Sequence, residues 1–215
     1  MTGKVNIILN TLDRMYPNAN VELHHKNHFE LLVAVVLSAQ TTDISVNKVT
    51  PQLFKHYPTP YAMAHADLKH LESLIQTIGL YRNKAKNIQA LAHDLISLYD
   101  GNVPEERANL EALPGVGRKT ANVVLSNAFG IPALAVDTHV ARVSKRLGLA
   151  KTTDDVLLIE QKLMRKIPKE KWQQVHHQLI FFGRYHCLAK KPKCHTCPLF
   201  EMCQFKDKHI YNVKS

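Results

Sequence analysis

Apolar residues recur along most of this chain at the spacing of amphipathic helices. The clearest example lies within residues 83–99, where one face carries Ala85, Ile88, Leu91, Ala92, Leu95, Ile96 and Tyr99. Residues 28–39 form an apolar run that suits either a buried strand or a buried helix. Because no alternating partner strand follows, we predict a buried helix there. The pattern as a whole predicts an all-α protein.

Capping residues and glycines predict where the remaining helices begin and end. Helix starts are predicted at four capping residues, which are Asp43, Thr59, Asp67 and Asp137. Glycines are predicted to stop two of these helices, at Gly79 and Gly148. Pro104 and the acidic residues after it predict the first turn of another short helix. Two more helices are predicted, one over about 154–166 and one after Pro168.

A glycine turn lies between two of these helices. Gly115 and Gly117 are expected to form a tight turn that exposes amide N–H groups, because glycine allows positive φ and close approach of another backbone. The next helix is expected to bury an apolar face and to present Lys119, Asn122 and Ser126 to solvent. A helix N-terminus attracts anions and disfavours the charged form of a lysine in its first turn. The stretch therefore predicts a phosphate-binding turn beside a candidate amine nucleophile, Lys119.

Composition narrows the class of partner. The chain has 215 residues, 45% of them hydrophobic, which is enough for one large domain or two small ones. A net charge of +10 favours a polyanionic partner, although a merely basic surface would give the same number. The first ten residues do not read as a secretory signal, and the longest apolar run, Leu31–Leu37, is too short to span a bilayer. We expect a cytoplasmic protein without a membrane segment.

All four cysteines lie close together near the end of the sequence, at Cys187, Cys194, Cys197 and Cys203. In a chain without a secretion signal, such a cluster predicts a metal site rather than disulfides. Structural zinc sites usually show two short pairs of cysteines, whereas here one pair has an outlying cysteine on each side. The spacing matches no common ferredoxin pattern either, so it favours a 4Fe-4S cluster over zinc only modestly.

Lysines fill the loop between the first two cysteines. Lys190, Lys191 and Lys193, together with Arg184, form a cationic rim that can contact phosphates. An ordinary solvated run of charges explains them equally well.

Five features together resemble one family. These are LPGVGRKTANVV at 113–124, AVDTH at 135–139, LLVAVVLSAQTTD at 31–43, TIGLYRNKA at 77–85 and the cysteine spacing. In this order they resemble the bacterial endonuclease III family, which belongs to the helix-hairpin-helix DNA glycosylases. The resemblance covers essentially the whole chain.

The resemblance implies a division into two helical domains. A six-helix barrel would span about 21–131 and contain the helix-hairpin-helix motif at about 104–129. Residues 1–20 and 132–215 would form a second domain, with the cluster loop at 187–203. DNA would bind across the cleft between the domains.

Family roles transfer to matching positions. Lys119 matches the nucleophile that attacks C1′ of the damaged nucleotide, expels the base and cuts the strand by β-elimination through a Schiff base. Only the neutral amine attacks, whereas a free lysine with a pKa near 10.4 is protonated at neutral pH. The helix N-terminus and a partly desolvated pocket are expected to lower the pKa of Lys119. Asp137 matches the catalytic carboxylate, which accepts a proton or stabilises the cationic sugar and can also cap its helix. The four cysteines would hold a 4Fe-4S cluster.

Further positions are implied to contact DNA. Gln40 would fill the space left by the extruded nucleotide, and Leu80 would wedge beside the orphaned partner base. The backbone around Gly115 and Gly117 would bind a phosphate. Charge contacts are expected from the following side chains: Arg118, Lys84, Lys86, Lys190, Lys191 and Lys193.

The resulting hypothesis is a bifunctional DNA glycosylase and AP lyase that excises oxidised pyrimidines from damaged double-stranded DNA in base-excision repair. We expect a monomer that associates with the nucleoid. Mismatch-specific thymine or uracil glycosylases share the fold but generally lack the lysine found at Lys119. Adenine glycosylases would carry a long additional C-terminal domain, for which 215 residues leave no space. A non-catalytic helix-hairpin-helix module that binds DNA is the alternative outside the enzymes.

Overall fold

The computed structural model describes residues 3–212, which are mainly helical with no β-strand among them. The predicted all-α class is confirmed. In chain order the α-helices are α1 (Gly3–Met15), α2 (His28–Leu37), α3 (Asp43–His56), α4 (Pro60–Ala64), α5 (Leu68–Ile75), α6 (Tyr81–Tyr99), α7 (Arg107–Ala112), α8 (Arg118–Ala128), α9 (Thr138–Arg146), α10 (Val156–Lys166) and α11 (Trp172–Phe181). Within residues 3–212, no helix is long and apolar enough to cross a membrane.

Short turns of other helix types complete the secondary structure. A π-helical turn, Phe182–His186, continues α11 toward the cysteines. Three 3₁₀ turns cover Lys169–Lys171, Cys194–Thr196 and Lys206–His209. π-Helical turns are rare and often occur near functional sites.

The chain forms two compact units. The hairpin unit is Glu22–Ile131, and the cysteine unit joins the segment up to Val21 to the segment from Pro132. In the hairpin unit, every residue of α2 from Phe29 to Leu37 is buried. This helix packs against α3, α6 and α8, while α6 also packs against α4 and α5. A helix enclosed in this way needs apolar residues all round, which explains the uninterrupted run in its sequence.

The cysteine unit has its own core, shared by both ends of the chain. Val5, Ile8 and Leu12 of α1 are buried with Val175 and Leu179 of α11. α11 also packs against α9, whose buried residues belong to the same core. The N-terminal helix is therefore part of the unit that contains the cysteines.

Most predicted helix starts hold, and one is wrong. Thr59, Asp67 and Asp137 each accept a hydrogen bond from a backbone N–H three residues further on, as N-caps do. Asp43 does not cap α3. Thr42 does, because its backbone is extended and its side chain accepts from the Ser45 N–H, which leaves Asp43 as the first helical residue.

Several helix bounds differ from the sequence prediction, among them the end of α2, which is Leu37 and not residue 39. α5 ends at Ile75, before Gly79, yet the following turn still buries Ile78, so the apolar spacing there reflects burial and not a longer helix. α7 begins after Pro104, because Glu106 still has extended backbone and is the N-cap. α10 begins at Val156 because Asp155 caps it, accepting from the Leu158 N–H.

Candidate functional site

Gly115 is required at its position by conformation and by space. Its φ is +78°, in the left-handed region that favours glycine. A Cβ atom there would lie 3.1 Å from Asn87 Nδ2 and 3.2 Å from Val36 Cγ1. The positive φ predicted from the sequence is confirmed, but the close neighbours are side chains of α6 and α2 and not a second backbone.

Gly117 has a different role. Its φ of −97° and ψ of 177° are open to any residue, so the expected positive φ is wrong for this glycine. It is the N-cap of α8 and supplies no capping side chain, and a Cβ added to it would meet nothing within 4 Å. The Cβ side of Gly117 therefore faces open space, and the amides that follow it form a helix N-terminus, where an anion is favoured.

Lys119 is the second residue of α8 and is exposed. Asn122 and Ser126, expected on the same solvent-facing side, are instead buried, with 1% and 2% of their surface exposed. The Arg107 guanidinium donates to Asn122 Oδ1, and Ser126 Oγ donates to the Val123 carbonyl at 3.2 Å. Because α8 packs against α2 and α7, its exposed residues are those of the first turn.

Gln40 and Leu80 share an unusual backbone. Gln40 follows α2 with φ +54°, and Leu80 precedes α6 with φ +60°. Both side chains are exposed, Leu80 to 59%. Positive φ is uncommon outside glycine, and such strain, on the order of 1–3 kcal/mol per residue, concentrates at functional sites. The structure thus holds both residues at the surface of the hairpin unit in strained turns.

Lys84 does not lie on the surface, contrary to its expected charge contact with DNA. It is 5% exposed, and its Nζ donates to Thr41 Oγ1 at 2.6 Å. Burial lowers the pKa of the Lys84 amine. Arg118 and Lys86, expected to make similar contacts, are exposed.

Asp137 caps α9 as predicted. Its Oδ1 accepts from the Val140 N–H at 2.7 Å, and its side chain is partly buried. A carboxylate has more acceptor sites than one hydrogen bond uses, so the cap leaves capacity for chemistry. The chain segment just before Asp137 is contacted by His176, whose Nδ1 donates to the Ala135 carbonyl at 2.8 Å. No feature of the sequence predicted a role for His176.

Two arginines of α9 contact the loop that begins the cysteine segment. Arg142 Nη2 donates to the Gly183 and Cys187 carbonyls, at 2.9 and 3.2 Å. Arg146 Nη1 donates to the Leu188 carbonyl at 2.7 Å and lies 3.4 Å from Cys187 Sγ. Sequence reasoning missed both residues, although their spacing of four places them on one helix face.

The four cysteines line one cavity. None of them forms a disulfide, and Arg146, Phe182 and Phe205 line the same cavity. Within residues 3–212, no three His, Cys, Asp or Glu side chains are arranged around a single metal ion. Burial, then the neighbouring thiols, raises the pKa of Cys197 to about 11, although the Leu199 N–H opposes this. Cysteine ligates metals as thiolate, so binding a metal group here releases protons. Four thiols around one cavity fit an iron–sulfur cluster.

Lys190, Lys191 and Lys193 are all exposed, and Lys191 has a φ of +50°. Their exposure suits contact with phosphates and also suits a solvated charge run. The phosphate contacts therefore stay a prediction.

Comparison with known proteins identifies the family. Residues 33–169 match the HhH-GPD superfamily of base excision DNA repair proteins, and residues 187–203 match the iron–sulfur binding domain of endonuclease III. The second match confirms the predicted 4Fe-4S cofactor. Endonuclease III of Bacillus subtilis (strain 168) is 56% identical over 201 residues, which are 94% of this chain and 92% of the relative.

Solved structures agree along the whole chain. A trapped endonuclease III–DNA covalent intermediate has a TM-score of 0.93 and 56% identity, covering 98% of this chain and 100% of that one. A non-covalent endonuclease III–DNA complex has a TM-score of 0.94 and 55% identity, covering 98% and 99%. This chain therefore belongs to the endonuclease III family of base excision DNA repair proteins.

Proposed function

We propose that this chain is a bifunctional DNA glycosylase and AP lyase that excises oxidised pyrimidines from duplex DNA, with Lys119 as its nucleophile. One observation carries the assignment to Lys119. It is an exposed amine in the first turn of α8, beside the open space at Gly117, in a chain 56% identical to an endonuclease III trapped covalently on DNA. A covalent intermediate requires a protein nucleophile, and an amine forms the imine that lyase chemistry needs.

Lys119 attacks C1′ as the neutral amine. The C1′–base bond breaks and its electrons leave with the base, which takes up a proton. The nitrogen stays bound to C1′, the sugar ring opens to the Schiff base, and loss of a C2′ proton expels the 3′ phosphate. Since Lys119 is exposed, the protein around it does not provide the desolvated surroundings expected for it. We propose that bound DNA covers this surface and excludes water from it.

Asp137 serves as the carboxylate that accepts a proton or stabilises the cationic sugar. Its bond to the Val140 N–H fixes the direction of the side chain. A fixed carboxylate stabilises developing positive charge without reorganising during the reaction.

Gln40 and Leu80 fill the duplex while the nucleotide is out of the stack. Extrusion costs a few kcal/mol when the gap stays empty. Both residues are exposed and held in strained turns of the hairpin unit, which suits side chains that leave water and enter DNA.

Phosphate contacts come from the backbone at Gly115 and Gly117 and from basic side chains. The proposed side chains are Arg118, Lys190, Lys191 and Lys193. A net charge of +10 supports a polyanionic partner, and each phosphate neutralised contributes about 0.9 to the log–log slope of affinity against salt.

The four cysteines that line one cavity, Cys187, Cys194, Cys197 and Cys203, would hold the cluster. A bound cluster would supply one-electron redox chemistry. Arg146 shields one side of the cavity and lies within hydrogen-bond range of Cys187 Sγ.

The protein acts on damaged double-stranded DNA as a monomer, in the cytoplasm at the nucleoid. Solved structures similar to this chain include endonuclease III bound to DNA. Gel filtration of the holoenzyme with and without DNA tests the monomer.

Borohydride trapping tests the nucleophile. The wild-type holoenzyme, mixed with duplex DNA containing an abasic site or an oxidised pyrimidine, should form a covalent complex after reduction. Lys119→Ala should form none and should not cut the strand, while Lys55→Ala, which removes another exposed lysine of the hairpin unit, should trap normally. Trapping by Lys119→Ala, or none by wild type, contradicts the proposal.

A further inference from the structure

The turns that carry Gln40 and Leu80 are joined through one side chain. Lys84 lies in the first turn of α6, and its backbone N–H donates to the Leu80 carbonyl at 3.0 Å. Its Nζ donates to Thr41 Oγ1 at 2.6 Å, next to Gln40. We call this connection from Leu80 through Lys84 to Thr41 the Lys84 bridge.

The bridge is built from a buried amine. Lys84 is 5% exposed, and burying a lysine amine costs free energy that a methionine of similar length would not require. Burial also lowers the pKa of this amine. A neighbouring exposed position on α6, such as Lys86, carries its charge in water at no such cost. The position of Lys84 is therefore explained by what its Nζ holds.

The same part of α6 also supports the glycine turn. Asn87, three residues after Lys84, lies against Gly115, where a Cβ atom would come within 3.1 Å of its Nδ2. Residues three apart lie on neighbouring positions of one helix face. The first two turns of α6 thus contact Leu80, Thr41 and Gly115.

Strain makes such a connection useful. Gln40 and Leu80 both have positive φ, a conformation that unconstrained residues of these types leave readily. Two side chains that fill one gap in a duplex must be in place at the same time. If each turn relaxed separately, the conformation that fills the gap would be less populated.

We propose that Lys84 is a positioning residue that holds the Gln40 and Leu80 turns in register, so that both side chains enter the duplex together. The proposal rests on the proposed glycosylase function. It concerns nucleotide extrusion and not the attack by Lys119. Reaction at a site that needs no extrusion is therefore independent of the bridge.

Lys84→Met tests the bridge, because it keeps the length of the side chain and removes Nζ. Holoenzymes in excess are compared on two substrates: a base-paired oxidised pyrimidine in a duplex, with 2-aminopurine beside it, and an abasic site in single-stranded DNA. Lys84→Met should slow base release from the duplex about tenfold and reduce the 2-aminopurine signal of unstacking. Borohydride trapping on the single strand should stay near the wild-type rate.

Lys55→Met is the matched control for loss of one positive charge, since Lys55 is exposed on α3 of the same unit. It should leave both rates unchanged. Equal duplex rates for wild type and Lys84→Met, or an equal loss with Lys55→Met, would overturn the inference. So would a loss of the same size on both substrates.

Thr41 gives a second route if Lys84→Met does not fold. Thr41→Ser keeps the hydroxyl that accepts from Lys84 and should behave as wild type, whereas Thr41→Val should reproduce the duplex defect. Equal duplex rates for the two variants would overturn the inference. If wild type itself traps on neither substrate, the proposed function has failed and not the bridge.

Discussion

The two units differ in the burial of their histidines. Every histidine of the hairpin unit is exposed, and these are His24, His25, His28, His56, His65, His70 and His93. In the cysteine unit, His176, His177 and His186 are buried and His139 is partly buried, whereas His195 and His209 are exposed. Burial lowers the pKa of His139 and His186, and it lowers that of His177 to about 3. The hairpin unit keeps all its imidazoles in water, whereas the cysteine unit buries some of its own, and burial opposes the protonation of His139, His177 and His186.

Positive φ at residues other than glycine occurs at the surface of both units. In the hairpin unit, Gln40, Leu80 and Asp100 are exposed residues with positive φ. Lys191 is the corresponding case in the cysteine unit, in the loop between the first two cysteines. Strained backbone therefore lies at the surface in both units and includes Gln40 and Leu80, whereas buried histidines occur only in the cysteine unit.

Asp137 gives the sharpest test of whether the cysteine unit contributes chemistry as well as support. Asp137→Asn keeps an oxygen that can accept from the Val140 N–H but loses the charge, so base release should fall about 100-fold or more with little change in thermal stability. Asp137→Ala also loses the cap, at about 1 kcal/mol. Single-turnover rates and thermal unfolding of the holoenzymes separate the two roles. A wild-type rate for Asp137→Asn would show that the charge is not catalytic.

Acid should act on the cysteine unit. The pKa of His177 falls from 6.5 to about 3 on folding, chiefly through burial and then through the charges of His176 and Arg184. Its contribution to stability is therefore complete above pH 6.5 and is lost as the pH falls toward 3. Between pH 7 and pH 5, we expect the free energy of unfolding to fall by about 2 kcal/mol from this residue.

Urea unfolding of His177→Gln and His93→Gln measures that loss. The first variant should show a weaker pH dependence than wild type, and the second, which changes an exposed histidine of the hairpin unit, should match wild type. The same pH dependence of the free energy of unfolding in all three proteins would show that burial of His177 does not reduce stability in acid.

The two glycines of the hairpin should respond differently to alanine. Gly115→Ala should destabilise by about 1–3 kcal/mol, because Gly115 has a φ of +78° and its added Cβ would crowd Asn87 and Val36. Gly117→Ala should change stability by less than about 0.5 kcal/mol, since the space there is open. Its DNA affinity should nevertheless fall, because the methyl group occupies the space proposed for a phosphate. Thermal unfolding measures the stabilities, and fluorescence anisotropy with a lesion duplex measures the affinities. An unchanged affinity for Gly117→Ala would show that the phosphate does not bind at Gly117.

Two exposed leucines give the smallest effect, with opposite signs. Leu80→Gly should stabilise the protein by up to about 1 kcal/mol, because glycine accepts a φ of +60° without strain. Leu98→Gly, at a residue 65% exposed in the last turn of α6, should destabilise by up to about 1 kcal/mol. Chemical unfolding of both variants gives the comparison. Destabilisation by Leu80→Gly would mean that the turn is not strained.

Local rules predicted most of the helical framework. The spacing of apolar residues located α2 and α6, and capping chemistry located Thr59, Asp67 and Asp137. These features depend on neighbours within one turn of the chain. The positive φ of Gly115 followed for the same reason, because glycine marks such positions.

Features fixed by distant contacts were not predicted. Buried Asn122 accepts from Arg107 of α7, and buried Lys84 donates to Thr41, 43 positions earlier in the chain. Neither partner can be read from local spacing. Positive φ at Gln40 and Leu80 has no sequence signal either, since neither residue is glycine or asparagine.

The core of the cysteine unit combines the first helix of the chain with helices that are synthesised much later. Val5, Ile8 and Leu12 leave the ribosome first, yet Gln178, which donates to Asp13, follows 165 positions later. At about 5–20 residues per second, α1 waits roughly 10–30 s with its apolar face in water. The hairpin unit is complete within that time, because all its residues lie between Glu22 and Ile131. The hairpin unit is therefore fully synthesised before the cysteines proposed to bind the iron–sulfur cluster.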